Sequence, residues 1–160
     1  MKSLNIKDYN DNIPSVITVG TFDGIHLGHI KLIEKVLDIS ESENLRSIVL
    51  TFDPHPRVVL NNDNNISLLT TLEEKNSLLE SVNLDYLIIQ EFSKEFSSLT
   101  PIEYVKTILV EKLNAKHVVI GYDHHFGKNR KANSEKLHEF SELFDFKVTE
   151  VDVLIKDNIS

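Results

Sequence analysis

The 160-residue chain contains no cysteine, which excludes disulfide staples and thiolate nucleophiles and leaves its redox setting unspecified. It also lacks any apolar run approaching the roughly 20 residues that span a bilayer. Its opening, M-K-S-L-N-I-K-D-Y-N, has no apolar core of the kind a secretory signal carries. A cytoplasmic location without membrane association is therefore the expectation. Positive charge is scarce: 17 Lys and Arg stand against 25 Asp and Glu, a formal net charge of −8. Such a balance argues against a nucleic-acid-coating surface, so any polyanion must be held by a local cluster rather than by the overall field. There is no G-x-x-x-x-G-K-[ST] loop, no G-x-G-x-x-G and, among seven histidines, no H-E-x-x-H. A P-loop NTPase, a typical dinucleotide site and a zinc hydrolase site thus find no support. No repeat, low-complexity tract or linker divides the chain, and 41% hydrophobic with 26% charged residues describes one domain, residues 1–160, able to bury a real core.

What is present centres on residues 16–37, V-I-T-V-G-T-F-D-G-I-H-L-G-H-I-K-L-I-E-K-V-L. Val16 to Val19 are mostly β-branched and apolar, as a buried strand requires, whereas Ile30, Ile33, Val36 and Leu37 recur at helical spacing. A strand turns into a helix here. Gly20 and Gly24 free the backbone for a tight turn, and His26, Gly28 and His29 stand where the helix begins. A helix start leaves N–H groups unpaired and carries the positive end of the macrodipole, so it accepts phosphate readily, and imidazoles three residues apart add donors above the same turn. Gly28 removes a side chain that would collide with a ligand. The segment resembles the H-x-G-H signature of the nucleotidyltransferase superfamily in its strand-to-helix form, G-T-F-D-G-x-H-x-G-H.

Elsewhere strands and helices alternate. An edge strand is expected near Leu4 to Ile6, a second apolar strand over Arg46 to Phe52, a third over Leu84 to Ile89, a fourth over Ala115 to Gly121 and a fifth over Phe146 to Val153. Helices are expected from Thr70 or Thr71 to about Ser81, from Thr100-Pro101 to about Leu113 with Ile102, Val105, Ile108 and Leu109 on one face, and from Asn133 or Ser134 to about Phe144, with a short helical turn over Ser93 to Ser98. The pattern predicts an α/β fold with a parallel sheet of about five strands covered by helices on both faces. In such sheets ligands lie beyond the carboxyl ends of the strands. The conspicuous loops, Gly20 to His29, Asp53 to Arg57 and Gly121 to Ala132, all follow strand ends and so can meet at one crevice.

Two of those loops are further site candidates. T-F-D-P-H-P-R, residues 51–57, is stiffened by Pro54 and Pro56, and with Phe52 nearby it reads either as a wall for a flat ring or as a rigid connector. In G-Y-D-H-H-F-G-K-N-R-K-A-N, residues 121–133, Gly121 and Gly127 permit unusual turns, Asp123 offers an acceptor, and Lys128, Arg130 and Lys131 cluster positive charge in an acidic protein. That loop reads either as a phosphate clamp, with Arg130 making bidentate contacts, or as a solvated charged loop.

Taken in order, G-T-F-D-G-I-H-L-G-H, T-F-D-P-H-P, L-T-T-L-E-E-K at 69–75 and G-Y-D-H-H-F-G-K-N-R resemble the N-terminal adenylyltransferase module of prokaryotic bifunctional riboflavin kinase/FMN adenylyltransferase, the FAD synthetase family. The resemblance covers roughly residues 14–155. It implies a Rossmann-like nucleotidyltransferase fold and transfer of AMP from ATP to FMN, releasing pyrophosphate and forming FAD. No covalent nucleophile is implied, so catalysis would be alignment and charge stabilisation during in-line attack by the FMN phosphate. His26 and His29 would serve as the catalytic donors to the ATP phosphates; Gly20, Thr21, Phe22, Asp23 and Gly28 would shape the nucleotide pocket. Phe52, Pro54, Pro56, Asp123, Phe126, Gly127 and Arg130 would line the flavin or substrate side, and Mg2+, with unassigned ligands, would offset phosphate charge.

The chain departs from the family pattern in places. Thr21 stands where Asn is more usual in flavin members, His124 where Phe is expected, and Ala132 where Gly follows the Arg. Another H-x-G-H transferase with a different phosphorylated acceptor, such as phosphopantetheine or glycerol phosphate, and a noncatalytic nucleotide-binding module are the alternative readings. The family's next motif, I-S-S-T-x-x-R, would fall where this sequence closes at Asn158-Ile159-Ser160, and these 160 residues hold no riboflavin kinase module. A truncated fragment of low activity is the expectation. In a pyrophosphate-release assay, residues 1–160 should turn over poorly, and full activity would refute that.

Overall fold

The computed structural model describes residues 1–20, 27–53, 77, 79–121 and 134–152. Six strands form one parallel sheet: β1 (Lys2–Asn5), β2 (Ser15–Val19), β3 (Arg46–Asp53), β4 (Tyr86–Glu91), β5 (Ala115–Gly121) and β6 (Lys147–Val151), in the order β1-β4-β3-β2-β5-β6. The α/β parallel architecture read from the alternation holds. The polar lead-in supplies the sixth strand, because Lys2 to Asn5 pair with Tyr86 to Ile89 at the edge of β4. The third strand begins at Tyr86, two residues later than its apolar run begins, since Asp85 is engaged in fixing the start of β3.

Two apolar clusters lie on opposite faces of the sheet, as strand alternation dictates. On one face Val16, Val49, Leu87 and Val119 pack against Leu32, Ile33, Val36 and Ile39 of α1 (Leu27–Glu43) and against Leu79. On the other, Ile17, Ile48, Leu50, Ile88, Val118 and Ile120 meet Tyr104, Val105, Leu109 and Leu113 and also Leu137 and Phe140. These residues come from α3 (Pro101–Tyr104), its continuation as a π-helix over Val105–Lys112 capped by Leu113, and α4 (Ser134–Phe144). A short α2 (Lys94–Ser97) precedes α3. Thr100 and Glu103 cap α3 reciprocally, Glu103 N donating to Thr100 Oγ1 at 3.3 Å and Thr100 N to Glu103 Oε1 at 2.8 Å. The wider π turn, closed by Leu113 N donating to Ile108 O at 3.1 Å, lines up Val105, Leu109 and Leu113 on the core. Ile102, expected on that face, is instead 42% exposed, and Tyr104 takes the inward position. Of the helix expected to start at Thr70 or Thr71, residues 77, 79 and 80 are helical and the earlier turns lie outside the described residues.

The amino-terminal edge of the sheet is stitched by polar side chains. Asp85 Oδ2 accepts from Ser47 N at 2.9 Å and from Ser47 Oγ at 3.1 Å, while Ser47 Oγ accepts from Asp85 N at 2.8 Å. Ser15 Oγ donates to Leu113 O at 2.7 Å, and Tyr86 OH to Asp11 Oδ2 at 2.8 Å. Chain reversals into β3, β4, β5 and β6 each use a left-handed residue without a glycine: Asn44, Asn83, Asn114 and Asp145 have φ between 53° and 62°. Short polar side chains tolerate that region. Leu45 N donating to Ser40 O and Phe146 N to Ser141 O, each at 3.0 Å, close the ends of α1 and α4 around two of them.

Tyr9 lies beneath this edge, 1% exposed, its ring edge-on to Tyr86 at 5.0 Å and its hydroxyl without a partner among the described residues. Burial, with the Asp11 carboxylate adding to it, pushes the Tyr9 phenol up to about 12. That lies above its unfolded value of about 10, so the linked stability is fully present below the unfolded value and is lost as pH rises through the folded one. Tyr9→Phe removes both the orphan hydroxyl and its titration. It should raise the unfolding free energy at neutral pH by about 1 kcal/mol. It should also flatten the loss of stability on going alkaline, both read by urea denaturation across pH; destabilisation at neutral pH would contradict the assignment.

Candidate active site

Parallel pairing places every strand's carboxyl end on the same edge. Three adjacent strands, β3, β2 and β5, deliver Asp53, Gly20 and Gly121 to that edge side by side. The chain proceeds from β2 to β3 and β4 on one side and then crosses to β5 and β6 on the other, so β2 marks the point where the order reverses. At such a point the connections leave in opposite directions and open a crevice above the strand ends. Gly20 N still donates to Leu50 O at 3.0 Å, which extends the ladder of β2 to the first residue of the glycine-containing loop. All five glycines of the chain fall within 20–28 and 121–127, the segments leaving β2 and β5. The opposite edge makes its four left-handed turns with Asn and Asp alone.

The helix after β2 carries its negative charge away from its start. The first turn of α1 contains no acidic residue, although carboxylates there normally stabilise a helix. Acid accumulates at the other end, as Glu41 and Glu43. That end is held by His117 of β5, whose Nδ1 lies 3.3 Å from Glu43 Oε1 and whose Nε2 lies 2.6 Å from Thr149 Oγ1 of β6. Lys147 Nζ lies 3.7 Å from Glu43 Oε2. His29 is the third residue of α1, half-buried in its first turn, and Gly28 is the second. Both belong to the end of α1 that follows β2 in the chain. His26, Thr21, Phe22, Asp23, Pro54, Pro56, Asp123, Phe126, Gly127 and Arg130 lie outside the described residues.

Phe52, the penultimate residue of β3, belongs to an aromatic group that sequence reasoning did not assemble. Its ring centroid lies 5.6 Å from Phe92 and 5.8 Å from Phe96; Phe92 and Phe96 are 5.6 Å apart, and Phe96 is 6.1 Å from the buried Tyr104. These separations and the tilted to edge-on orientations are those that aromatic quadrupoles favour. The signal was available: E-F-S-K-E-F places two phenylalanines four apart, and Ser93 caps the turn between them by accepting from Phe96 N at 3.0 Å. Phe52, Phe92 and Phe96 all remain half-buried, leaving aromatic surface at the carboxyl edge of β3 and β4. Among the described residues no group of three His, Asp or Glu side chains is arranged to hold a metal ion, and no helix is long and apolar enough to cross a membrane.

Comparison with known proteins agrees with this geometry. A chain titled macrolide-efflux protein, from Streptococcus pneumoniae, superposes with a TM-score of 0.81 at 28% identity, over 95% of this chain and 50% of that one. Pantoate-beta-alanine ligase from Francisella tularensis, solved with beta-gamma ATP and beta-alanine, shares the fold at a TM-score of 0.59 and 16% identity, over 95% of this chain and 67% of that one. The bifunctional riboflavin kinase/FMN adenylyltransferase of Buchnera aphidicola subsp. Schizaphis graminum is 37% identical over 154 residues, covering 96% of this chain and 49% of that protein. Its counterpart in Listeria monocytogenes is 34% identical, covering 93% and 48%. The chain thus spans about half the length of the curated relatives it matches. A sequence profile described as FAD synthetase matches residues 8–160, which take in β2 to β6 and both glycine-containing segments, and on that match the chain belongs to the FAD synthetase family.

Proposed function

We propose that this chain transfers AMP from ATP to FMN, forming FAD and releasing pyrophosphate, and that it corresponds to the adenylyltransferase half of its bifunctional relatives. The reading rests on family membership together with one observation: the ends of β3, β2 and β5, from which the three motif-bearing segments depart, stand side by side on one edge of the sheet. The oxygen of the FMN phosphate attacks the α-phosphorus of ATP, one P–O bond forms, and the bond to the departing pyrophosphate breaks. With no covalent nucleophile in the scheme, rate comes from alignment and from donors fixed where charge develops.

The amino terminus of α1, free of carboxylates in its first turn, supplies N–H groups for the phosphates, and His26 and His29 act as the further donors. Gly20 and Gly28 let backbone approach the nucleotide closely, with Thr21, Phe22 and Asp23 completing that pocket. Phe52, with Phe92 and Phe96, offers aromatic surface suited to a flat ring, next to the Pro54 and Pro56 segment; Asp123, Phe126, Gly127 and Arg130 close the acceptor side from β5. Magnesium fits as an ion carried chiefly by phosphate oxygens and water, since it needs only one or two carboxylates. Asp53 and Glu91, exposed and level with each other at the ends of β3 and β4, are the described carboxylates that would hold it. Bound there it would offset phosphate charge.

His26→Ala and His29→Ala, made in the intact protein, should leave the fold in place and lower FAD formation by about 100-fold or more. Pyrophosphate release with ATP and FMN reads that loss, and wild-type rates in both variants would remove the enzyme assignment. Phe92→Ala and Phe96→Ala should raise KM for FMN while KM for ATP stays within about twofold, because the aromatic surface contributes stacking to the acceptor alone. Phosphopantetheine and glycerol phosphate, run in the same assay, decide the acceptor: turnover with either and none with FMN would favour the alternative suggested by Thr21.

A further inference from the structure

Thr18 is the one polar residue of β2 that points into the face covered by α1. Strand alternation puts its side chain with Val16, and its partners across the sheet are Val49 on β3 and Val119 on β5, all three members of the apolar cluster packed against α1. It is 1% exposed, and its hydroxyl has no hydrogen-bond partner among the described residues. A buried hydroxyl left unpaired is unfavourable, and a valine would fill the same volume without that penalty. The position therefore calls for an explanation beyond packing.

The residues immediately beyond Thr18 supply one. Two steps further along the strands, on the same face, the row reads Thr51, Gly20 and Gly121 across β3, β2 and β5. Neither glycine has a Cβ, so no side chain from β2 or β5 stands in the row directly above the Thr18 hydroxyl on the carboxyl side. α1 packs on β2, β3 and β5 and begins at Leu27, seven residues after Gly20, so its amino terminus comes to the same edge. A helix of 17 residues with no acid in its first turn thus covers the face of the sheet that holds the unpaired hydroxyl. The two observations are independent, and both point to an anion or to the water that solvates one.

We infer that Thr18 is a positioning residue of the nucleotide site: through one ordered water above Gly20 and Gly121, its hydroxyl anchors the phosphate group bound at the amino terminus of α1. The water would complete its bonding with the phosphate, the Thr18 hydroxyl and strand-end backbone, which is the set of two to four polar partners that a buried water requires. This inference deepens the adenylyltransferase reading, and depends on it, by adding a residue that none of the motif segments contains. It also explains why a position inside an otherwise apolar strand keeps a hydroxyl that the fold alone does not use.

The test compares Thr18→Val, Thr18→Ala and Thr18→Ser in the intact protein, measuring ATP affinity by calorimetry and thermal stability in parallel. Thr18→Val should melt at or above the wild-type temperature and yet bind ATP about tenfold more weakly, with Thr18→Ser within about twofold of wild type. In pyrophosphate release its kcat should fall while KM for FMN is unchanged. Wild-type ATP affinity in both Thr18→Val and Thr18→Ala overturns the inference and leaves an unpaired hydroxyl only. Should Thr18→Val fail to fold, the contrast between Thr18→Ala and Thr18→Ser decides in the same terms. Absence of ATP binding by the wild-type protein overturns the inference together with the functional reading, whereas ATP binding with no FMN turnover leaves the Thr18 comparison to be judged by affinity alone.

Discussion

Parallel pairing of β2 with both β3 and β5 is the constraint from which the rest of the molecule follows. Parallel neighbours cannot be joined by a tight turn, so each connection must travel back across a face of the sheet. All strands then finish at one edge, and the segments leaving β3, β2 and β5 are neighbours there although β3 and β5 are far apart in the chain. A single antiparallel reversal among these three would carry one motif segment to the opposite edge and dismantle the site. The apolar rows on β2, buried on both faces by α1 and by the π-helical segment, are what hold that pairing in register.

The two edges of the sheet are built from different materials. At the amino edge, Ser47 with Asp85, Ser15 with Leu113, and Tyr86 with Asp11 tie strand starts to one another, and four Asn or Asp residues make the left-handed turns. At the carboxyl edge Asp53 and Glu91 end β3 and β4, and every glycine the chain has is found in the segments leaving β2 or β5. Glycine loses more conformational freedom on folding than other residues, so confining it to the two segments that leave β2 and β5 is informative. α1 repeats this asymmetry in its charges. Its first turn lacks the carboxylates that would compete with a bound phosphate, and its acidic last turn is steadied by His117, Thr149 and Lys147 instead.

Much of this was legible in the residues. The V-I-T-V strand, the R-S-I-V-L-T-F strand and the helical spacing after Gly28 have strong periodicities, and each element formed where its period changed. The parallel sheet followed from alternation, and the H-x-G-H, P-H-P and F-G-x-x-R blocks led to the family that the profile over residues 8–160 establishes. Less legible was whatever depends on neighbours distant in sequence. The edge strand expected near Leu4 to Ile6 runs instead over Lys2–Asn5, bounds that only its pairing with β4 sets. The inward turn of Tyr104 and outward turn of Ile102 arise where the first α turn, capped by Thr100, passes into the π-helical segment that starts at Val105, a change of path a single α-helical period does not contain. Phe92 and Phe96 were visible as a pair, but their meeting with Phe52 is a property of the β3–β4 register. The unpaired hydroxyl of Thr18 was invisible, because a threonine in a strand is ordinary until its surroundings are known.

The most direct test of the site's placement is an amide NMR titration with a non-hydrolysable ATP analogue. The largest shifts should fall on Gly20, Gly28, His29, Asp53 and Gly121, at one edge of the sheet, with Ser15, Arg46 and Ala115 at the opposite edge little moved. Shifts concentrated on Ser15, Arg46 and Ala115, with the strand ends silent, would contradict the account.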